Sequence, residues 1–199
     1  MIPEELLKKY NGKVKDYESG DFIYEENTEC QGYFQILSGK VKLNNYSEDG
    51  KEFIQNIFEA PQSFGEAVLY INEKYPANAI ALTDCTIIQL SAKNFSMLLK
   101  EYPECSLEIN RNLSRRLYYK MIMSQHVFSK NPNVRLKALM DYFKNTHYLQ
   151  KNSDKEYLIP LTRQQMADLT GLRVETVIRT IKSMEKENLL IIKKRQIYY

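Results

Sequence analysis

Two hydrophobic rhythms divide this chain. Over the first hundred residues, apolar and β-branched side chains come in short runs: Phe22–Tyr24, Gly32–Leu37, Lys40–Tyr46, Glu52–Phe58, Ala79–Leu82 and Thr86–Leu90. Such runs predict strands. Ser38-Gly39 and Glu48-Asp49-Gly50 supply turns, and the Asp-Gly pair between two of the runs is a hairpin signal. Strands this short and this evenly spaced predict a small antiparallel barrel or roll.

Near Ala92 the period becomes helical, and a long helix is expected from Pro103 to about Ser129. Ile109, Leu113, Leu117 and Met121 recur every fourth residue, a row that slants across a straight helix, while Met123 and Val127 add a second line. This apolar surface is wider than one core stripe needs. It suits a helix that packs on its own roll and also on a twin helix; the alternative is a long helix that covers a monomeric core. Asn131-Pro132-Asn133 interrupts it, and Val134–Asn145 resumes with Leu136, Leu139, Met140 and Phe143 at helical spacing. Polar residues from Gln150 to Glu156 then lead to a short strand, Tyr157–Ile159. The expected division is a roll over residues 1–103, a long helix over 104–130 and a C-terminal domain over 131–199.

The last segment carries the densest signals. Thr162 is a good N-cap and Gln165, three residues on, completes a capping-box pattern ahead of Met166 and Leu169. That helix ends at Gly171. The next starts near Arg173 or Val174, with Val177, Ile181 and Met184 on one face and Glu175, Arg179 and Lys182 on another. Two short helices joined by a brief turn form a helix-turn-helix unit, and Ala167 and Gly171 are the small residues expected where the helices cross. After Asn188, Leu189–Ile192, the basic turn Lys193-Lys194-Arg195 and Ile197–Tyr199 predict a two-stranded wing. Without the wing and the arginines, a plain helical hairpin with solvated charges would account for the same pattern.

Composition narrows the class. Hydrophobic residues make up 43% and charged ones 27% of 199 residues. No apolar run approaches the roughly 18 residues of a membrane helix, and no signal-peptide stretch follows Met1, so a cytoplasmic protein with no membrane partner is expected. Cys30, Cys85 and Cys105 stand singly, which suggests neither a disulfide framework nor a metal or iron–sulfur site. The net charge of +3 hides an asymmetry: Met1–Pro103 is net −6 and has no arginine, Glu104–Gln150 is net +5, and Lys151–Tyr199 is net +4. All eight arginines lie beyond Glu104, so the C-terminal half is the part suited to phosphate backbones.

At these residues the chain resembles the CRP/FNR regulators, the cyclic AMP receptor protein and its relatives. Leu161-Thr-Arg-Gln-Gln-Met-Ala-Asp-Leu-Thr-Gly171 followed by Val174-Glu-Thr-Val-Ile-Arg179 is similar to the family's helix-turn-helix. Gly20-Asp-Phe-Ile, Tyr33-Phe-Gln-Ile-Leu-Ser-Gly39-Lys-Val and Phe64-Gly65-Glu66 are similar to its effector-binding β-roll. The resemblance implies an α+β protein: a cyclic-nucleotide-binding-like jelly roll, a long dimerisation helix and a C-terminal winged helix-turn-helix. It also implies a homodimer on double-stranded DNA with two half-sites, with RNA polymerase as a further partner. Carried over, the base-reading positions fall on Val174, Glu175, Ile178 and Arg179, of which Glu175 and Arg179 match the family pattern. Arginine suits guanine and glutamate suits cytosine N4, whereas Val174 and Ile178 replace polar residues and would suit a thymine methyl. Thr162, Gln164 and Arg173 are better placed for phosphates.

The effector region implied by the resemblance comprises Phe64, Gly65, Glu66, Pro76, Ala77, Leu117, Lys120 and Met121. In cyclic AMP-binding relatives an Arg-Ser or Arg-Thr pair holds the cyclic phosphate, and here the matching pair is Pro76-Ala77. No arginine precedes Arg111, so the usual phosphate partner is missing. The Thr-Ser pair that meets adenine appears as Lys120-Met121. Cyclic AMP is therefore not expected to bind in the usual mode. The pocket is then empty, filled by Tyr70, Tyr75 and Tyr118, open to an apolar ligand, or able to attract another anion through Lys74 or Lys120; the identity and existence of a small-molecule effector stay open.

The clustered cysteines of the iron–sulfur relatives have no counterpart before Cys30. The only histidines, His126 at the end of the long helix and His147 after a helix C-terminus, read as ordinary solvated or dipole-facing imidazoles rather than haem ligands. No haem, metal or iron–sulfur cofactor is expected. A cyclic-nucleotide regulatory module of another system, not binding DNA, is the alternative class, against which the helix-turn-helix and the missing arginine both speak. No nucleophile–base pair, metal cluster or Gly-rich phosphate loop suggests an enzyme.

Overall fold

The architecture comes from a computed structural model, which describes residues 1–127, 129–148 and 157–199. The chain forms two compact units, Met1–Arg115 and Arg116–Tyr199.

The first unit is an antiparallel jelly roll. Its strands are β1 (Lys13–Tyr17), β2 (Phe22–Tyr24), β3 (Tyr33–Ser38), β4 (Lys40–Tyr46), β5 (Glu52–Glu59), β6 (Ser63–Phe64), β7 (Asn78–Ala81) and β8 (Cys85–Leu90). They pair as two four-stranded sheets, in the orders β1-β8-β3-β6 and β2-β7-β4-β5. The six strands expected from the hydrophobic runs are all present. β1 and β6 were not legible: β1 exposes four of its five residues, and β6 is only two residues long.

Two apolar clusters hold the unit. Inside the roll, Phe34, Ile36, Val41, Phe58, Phe64 and Ile87 pack together from both sheets. Outside it, Tyr33, Ile88 and Leu90 meet a second layer built from α1 (Glu4–Lys9), α2 (Ala92–Glu101) and the start of α3 (Pro103–Val127). β3 and β8 are therefore buried on both faces, which explains their nearly unbroken apolar sequences. Gln35, buried among them, is satisfied: it accepts from the Tyr33 hydroxyl at 2.6 Å and donates to the Ile2 carbonyl at 2.9 Å.

α3 shows what an every-fourth row does on a straight helix. Each step advances about 40° beyond a full turn, so the row changes face as it climbs. Ile109 is buried and Leu113 packs against the outer cluster, whereas Leu117 and Met121 are 64% and 55% exposed. The helix is described to Val127, slightly short of the expected Ser129.

The second unit gathers the rest of α3 with α4 (Pro132–Tyr148), α5 (Arg163–Thr170), α6 (Val174–Lys186) and the hairpin β9 (Ile191–Lys193) and β10 (Gln196–Tyr198). Pro132 opens α4 at the first helical position, where its missing N–H costs nothing. Leu136, Leu139 and Met140 are buried as their spacing predicts. His147 belongs to the last turn of α4 and not to a segment beyond it, because the helix continues past the apolar pattern that ends at Phe143. Residues Tyr157 to Ile159 run antiparallel beside β10, exchanging backbone hydrogen bonds with Tyr199 and Ile197 at 2.8–2.9 Å. The polar connection Gln150–Glu156 lies outside the described residues.

Gly39 joins β3 to β4 at φ +89, and a Cβ there would stand 2.3 Å from the Asp84 carbonyl oxygen. Gly39→Ala combines a left-handed backbone with a clash against main chain, and is expected to cost about 2–4 kcal/mol. Urea unfolding followed by circular dichroism measures it; a loss below about 1 kcal/mol would mean that the turn relaxes freely.

Candidate nucleic-acid interface

The recognition unit is assembled from local chemistry. The Thr162 side chain accepts from the Gln165 amide at 3.1 Å, and the Gln165 side chain accepts from the Thr162 amide at 2.9 Å, so the capping box is complete. α5 ends at Gly171, left-handed at φ 67 and ψ 21. A Cβ at Gly171 would meet nothing within 4 Å. The glycine is thus required by its backbone conformation, and the expectation that it makes room for a crossing helix is corrected. The close packing is supplied by Ala167, which is buried together with Met166, Leu169 and Thr170.

α6 follows after three residues and has a sharply divided surface. Val177, Thr180, Ile181 and Met184 are buried. Glu175, Ile178, Arg179, Lys182, Ser183 and Lys186 line a shallow open groove of about 570 Å³ on the opposite side. Glu175 and Arg179 sit one turn apart, yet form no ion pair with each other or with any other described residue. Their hydrogen-bonding groups therefore face water. Lys182 and Lys186 extend the basic surface toward the helix C-terminus, and Lys186 was not singled out from sequence because its spacing matters only once the buried face is known.

The expected phosphate residues all precede this helix in the chain. Thr162 and Gln164 are exposed on the first turn of α5 side of the unit, and Arg173 is exposed at the N-cap of α6. Gln164 also donates to the buried carboxylate of Asp168 at 2.9 Å, which leaves one amide hydrogen for another partner.

Three long-range contacts, none evident in the sequence, brace the unit. Arg135 on α4 donates through Nε to the Ser129 carbonyl at 2.9 Å and through Nη1 to the Thr170 carbonyl at 3.2 Å, satisfying the C-terminus of α5. Arg163 donates to the Arg195 carbonyl and so ties the wing turn to α5. The Tyr199 hydroxyl donates to Asp141 at 2.6 Å. The wing turn is narrower than expected: Lys193 ends β9, and Lys194 and Arg195 alone turn the chain, at φ 49 and 65. Two left-handed central residues match a type I′ hairpin, in which Asn-Gly is the favoured pair.

Of the residues expected at the effector region, Phe64, Gly65, Glu66, Pro76 and Ala77 lie in the roll unit, while Leu117, Lys120 and Met121 lie on α3 in the second unit. Gly65 is left-handed at φ 83 and opens the short 3₁₀ turn Glu66–Val68. Glu66 is 1% exposed and accepts from the Ser63 hydroxyl at 3.1 Å. Tyr75, 1% exposed, stacks on Tyr24 at 3.6 Å within the inner cluster. Its hydroxyl accepts from the Gln31 amide at 2.9 Å, and burial, reinforced by the Cys30 thiol, pushes its pKa well above the ordinary value. Tyr75 therefore fills the roll as a neutral ring, whereas Tyr70, and Tyr118 on α3, are exposed. Pro76 and Ala77 offer no charge to a cyclic phosphate, so the residues present do not fit a cyclic nucleotide held in that way. Among the described residues, no cluster of three or more metal-binding side chains occurs. No described helix is long and apolar enough to cross a membrane.

Comparison with known proteins agrees with this geometry. A cyclic nucleotide-binding domain matches residues 14–102, and a Crp-like helix-turn-helix domain matches residues 137–198. The chain is 28% identical over 159 residues to the cAMP-activated global transcriptional regulator CRP of Haemophilus influenzae, covering 79% of this chain and 70% of that one. It is 25% identical over 186 residues to the fumarate and nitrate reduction regulatory protein of Yersinia pestis, covering 93% and 74%. A solved structure of a CooA variant from Carboxydothermus hydrogenoformans has the same fold, with a TM-score of 0.78 at 20% identity over 100% of this chain and 86% of that one. The chain belongs to the CRP/FNR family of DNA-binding transcription regulators.

Removal of the cap is the simplest probe of the unit. Thr162→Ala is expected to lower stability by about 1 kcal/mol, since it strands the Gln165 amide at the start of α5. Thermal melts of wild type and variant measure the loss, and an unchanged midpoint would show that the capping box contributes nothing.

Proposed function

We propose that the chain is a homodimeric regulator whose α6 enters the major groove, one copy on each half-site of a two-fold operator. The observation that carries this reading is the unpaired, exposed row Glu175, Ile178, Arg179, Lys182 and Lys186 on a helix whose other face is fully buried. Arg179 reads guanine through its fork, Glu175 accepts from cytosine N4, and Val174 and Ile178 meet apolar base edges. Thr162, Gln164 and Arg173 set register on phosphates. Lys194 and Arg195 at the wing tip add positive charge beside the duplex.

Dimerisation through α3 is supported by Leu117, Tyr118 and Met121, apolar residues left exposed along its second half. Two-fold pairing would place the recognition helices about one helical turn of DNA apart. RNA polymerase is the further partner of a regulator of this type. The absence of any arginine before Arg111 and the aromatic filling around Tyr75 favour a roll that does not take cyclic AMP in the usual mode. Cytoplasmic location, the lack of catalytic activity and the lack of a haem, metal or iron–sulfur cofactor are parts of the same reading.

Arg179→Ala is expected to weaken binding to the selected operator by about 1–3 kcal/mol and to leave weak nonspecific binding nearly intact. Fluorescence titration on operator and on unrelated DNA separates the two, and equal losses on both would reject the base-reading role. Titration calorimetry with cyclic AMP is expected to give no stoichiometric heat at micromolar protein; tight binding of one nucleotide per chain would overturn the assignment of the roll.

A further inference from the structure

The register of the wing, with Lys193 opposite Gln196, leaves Lys194 and Arg195 as its whole turn. Both are left-handed, at φ 49 and 65, a conformation that a β-carbon disfavours and that glycine or asparagine adopts readily. A strained pair of this kind persists where its surroundings over-determine it. Three contacts do so here. Tyr157 and Ile159 exchange backbone hydrogen bonds with β10, and Glu185 on α6 accepts from the Ile192 amide of β9 at 3.2 Å. The third reaches the turn itself: Nη1 of Arg163 donates to the Arg195 carbonyl.

In every other respect Arg163 is poorly placed. It is the first residue of α5, where the positive end of the helix disfavours a cation, and no acidic residue shares that turn. It also brings a third cation to a turn that already carries two. Such a cluster is unfavourable in the free protein and favourable beside a polyanion. We infer that Arg163 is a positioning residue for DNA binding: it fixes the left-handed wing turn, so that the Lys194 and Arg195 side chains meet the duplex backbone already ordered. Its effect on affinity passes through that turn and not through a contact of its own with DNA. The inference rests on the DNA-binding reading above, to which it adds a residue that acts at one remove.

The test asks whether the effect of Arg163 depends on the wing. An operator is first selected from random duplex DNA with the full-length protein, and binding is then titrated at several salt concentrations. Arg163→Ala is expected to weaken binding about 3- to 10-fold, the scale of one or two phosphate contacts. Added to Lys194→Ala/Arg195→Ala, it should cost less than about 2-fold and leave the salt slope of that pair unchanged. Arg195→Gly keeps Lys194 and supplies a residue that takes the left-handed form unaided, so in that background too Arg163→Ala should cost less than about 2-fold. Arg163→Met, which keeps the stem and lacks the donor, should match Arg163→Ala, and circular dichroism identifies any variant that has lost its fold. A direct phosphate contact predicts the reverse: an undiminished loss in both backgrounds, with the salt slope lower by about one per protomer. That result, or wild-type binding by Arg163→Ala and Arg163→Met, would overturn the inference and leave the regulator reading standing. Selection that yields no preferred sequence overturns the regulator reading, and this inference with it.

Discussion

Burial of Val177, Thr180, Ile181 and Met184 decides which side of α6 faces water, and the chain's recognition chemistry follows from that one constraint. Each of the apolar side chains contributes roughly 1.5–3 kcal/mol by leaving water, which no surface contact of α6 approaches. The helix cannot roll about its axis without exposing them. Its charged row is consequently held at a fixed angle, and α5, capped at Thr162 and stopped at Gly171, sets where the helix begins. Arg135 secures the junction from α4 by donating to the Thr170 carbonyl at the end of α5.

The two units divide the work by charge. Residues up to Pro103 are net acidic and contain no arginine, which disfavours nonspecific attachment of the roll to nucleic acid. The excess of basic residues lies beyond it, on α3 and α4 as well as on α6 and the wing. In the roll, the stacked rings of Tyr24 and Tyr75 and the neighbouring Phe34 and Phe64 occupy the interior. The family's turn at Gly65-Glu66 persists around this filled core, with Glu66 buried and bonded to Ser63. The turn depends on the left-handed backbone at Gly65, and the interior depends on which side chains converge there.

Local chemistry explains what could be read in advance. The β4 and β2 strands, the capping box and the helical hairpin follow from short runs of aromatic and β-branched residues, from Thr162 and Gln165, and from Gly171, each of which acts within a few residues. β1 and α1 escaped because their apolar content is slight and their stability comes from partners far along the chain: β1 pairs with β8, and Leu7 of α1 is buried in the outer cluster. Gly171 was legible as a glycine that the turn needs, but its reason was not, since spacing cannot separate a demand for room from a demand for positive φ. The two-residue turn at Lys194 and Arg195 was likewise hidden, because neither residue favours the left-handed conformation that it adopts.

By itself, the sequence determined the order of roll, long helix and winged helix-turn-helix, and the residue types that α6 offers, because periodicity, caps and charge are properties of neighbours along the chain. Only the tertiary structure decided that Tyr75 fills the roll while Tyr70 is exposed. It alone decided that the row from Ile109 to Met121 passes from core to solvent, and that Ile178 stands exposed beside Arg179. Those outcomes depend on which surfaces meet across long sequence separations, and burial, unlike spacing, is set by the partner.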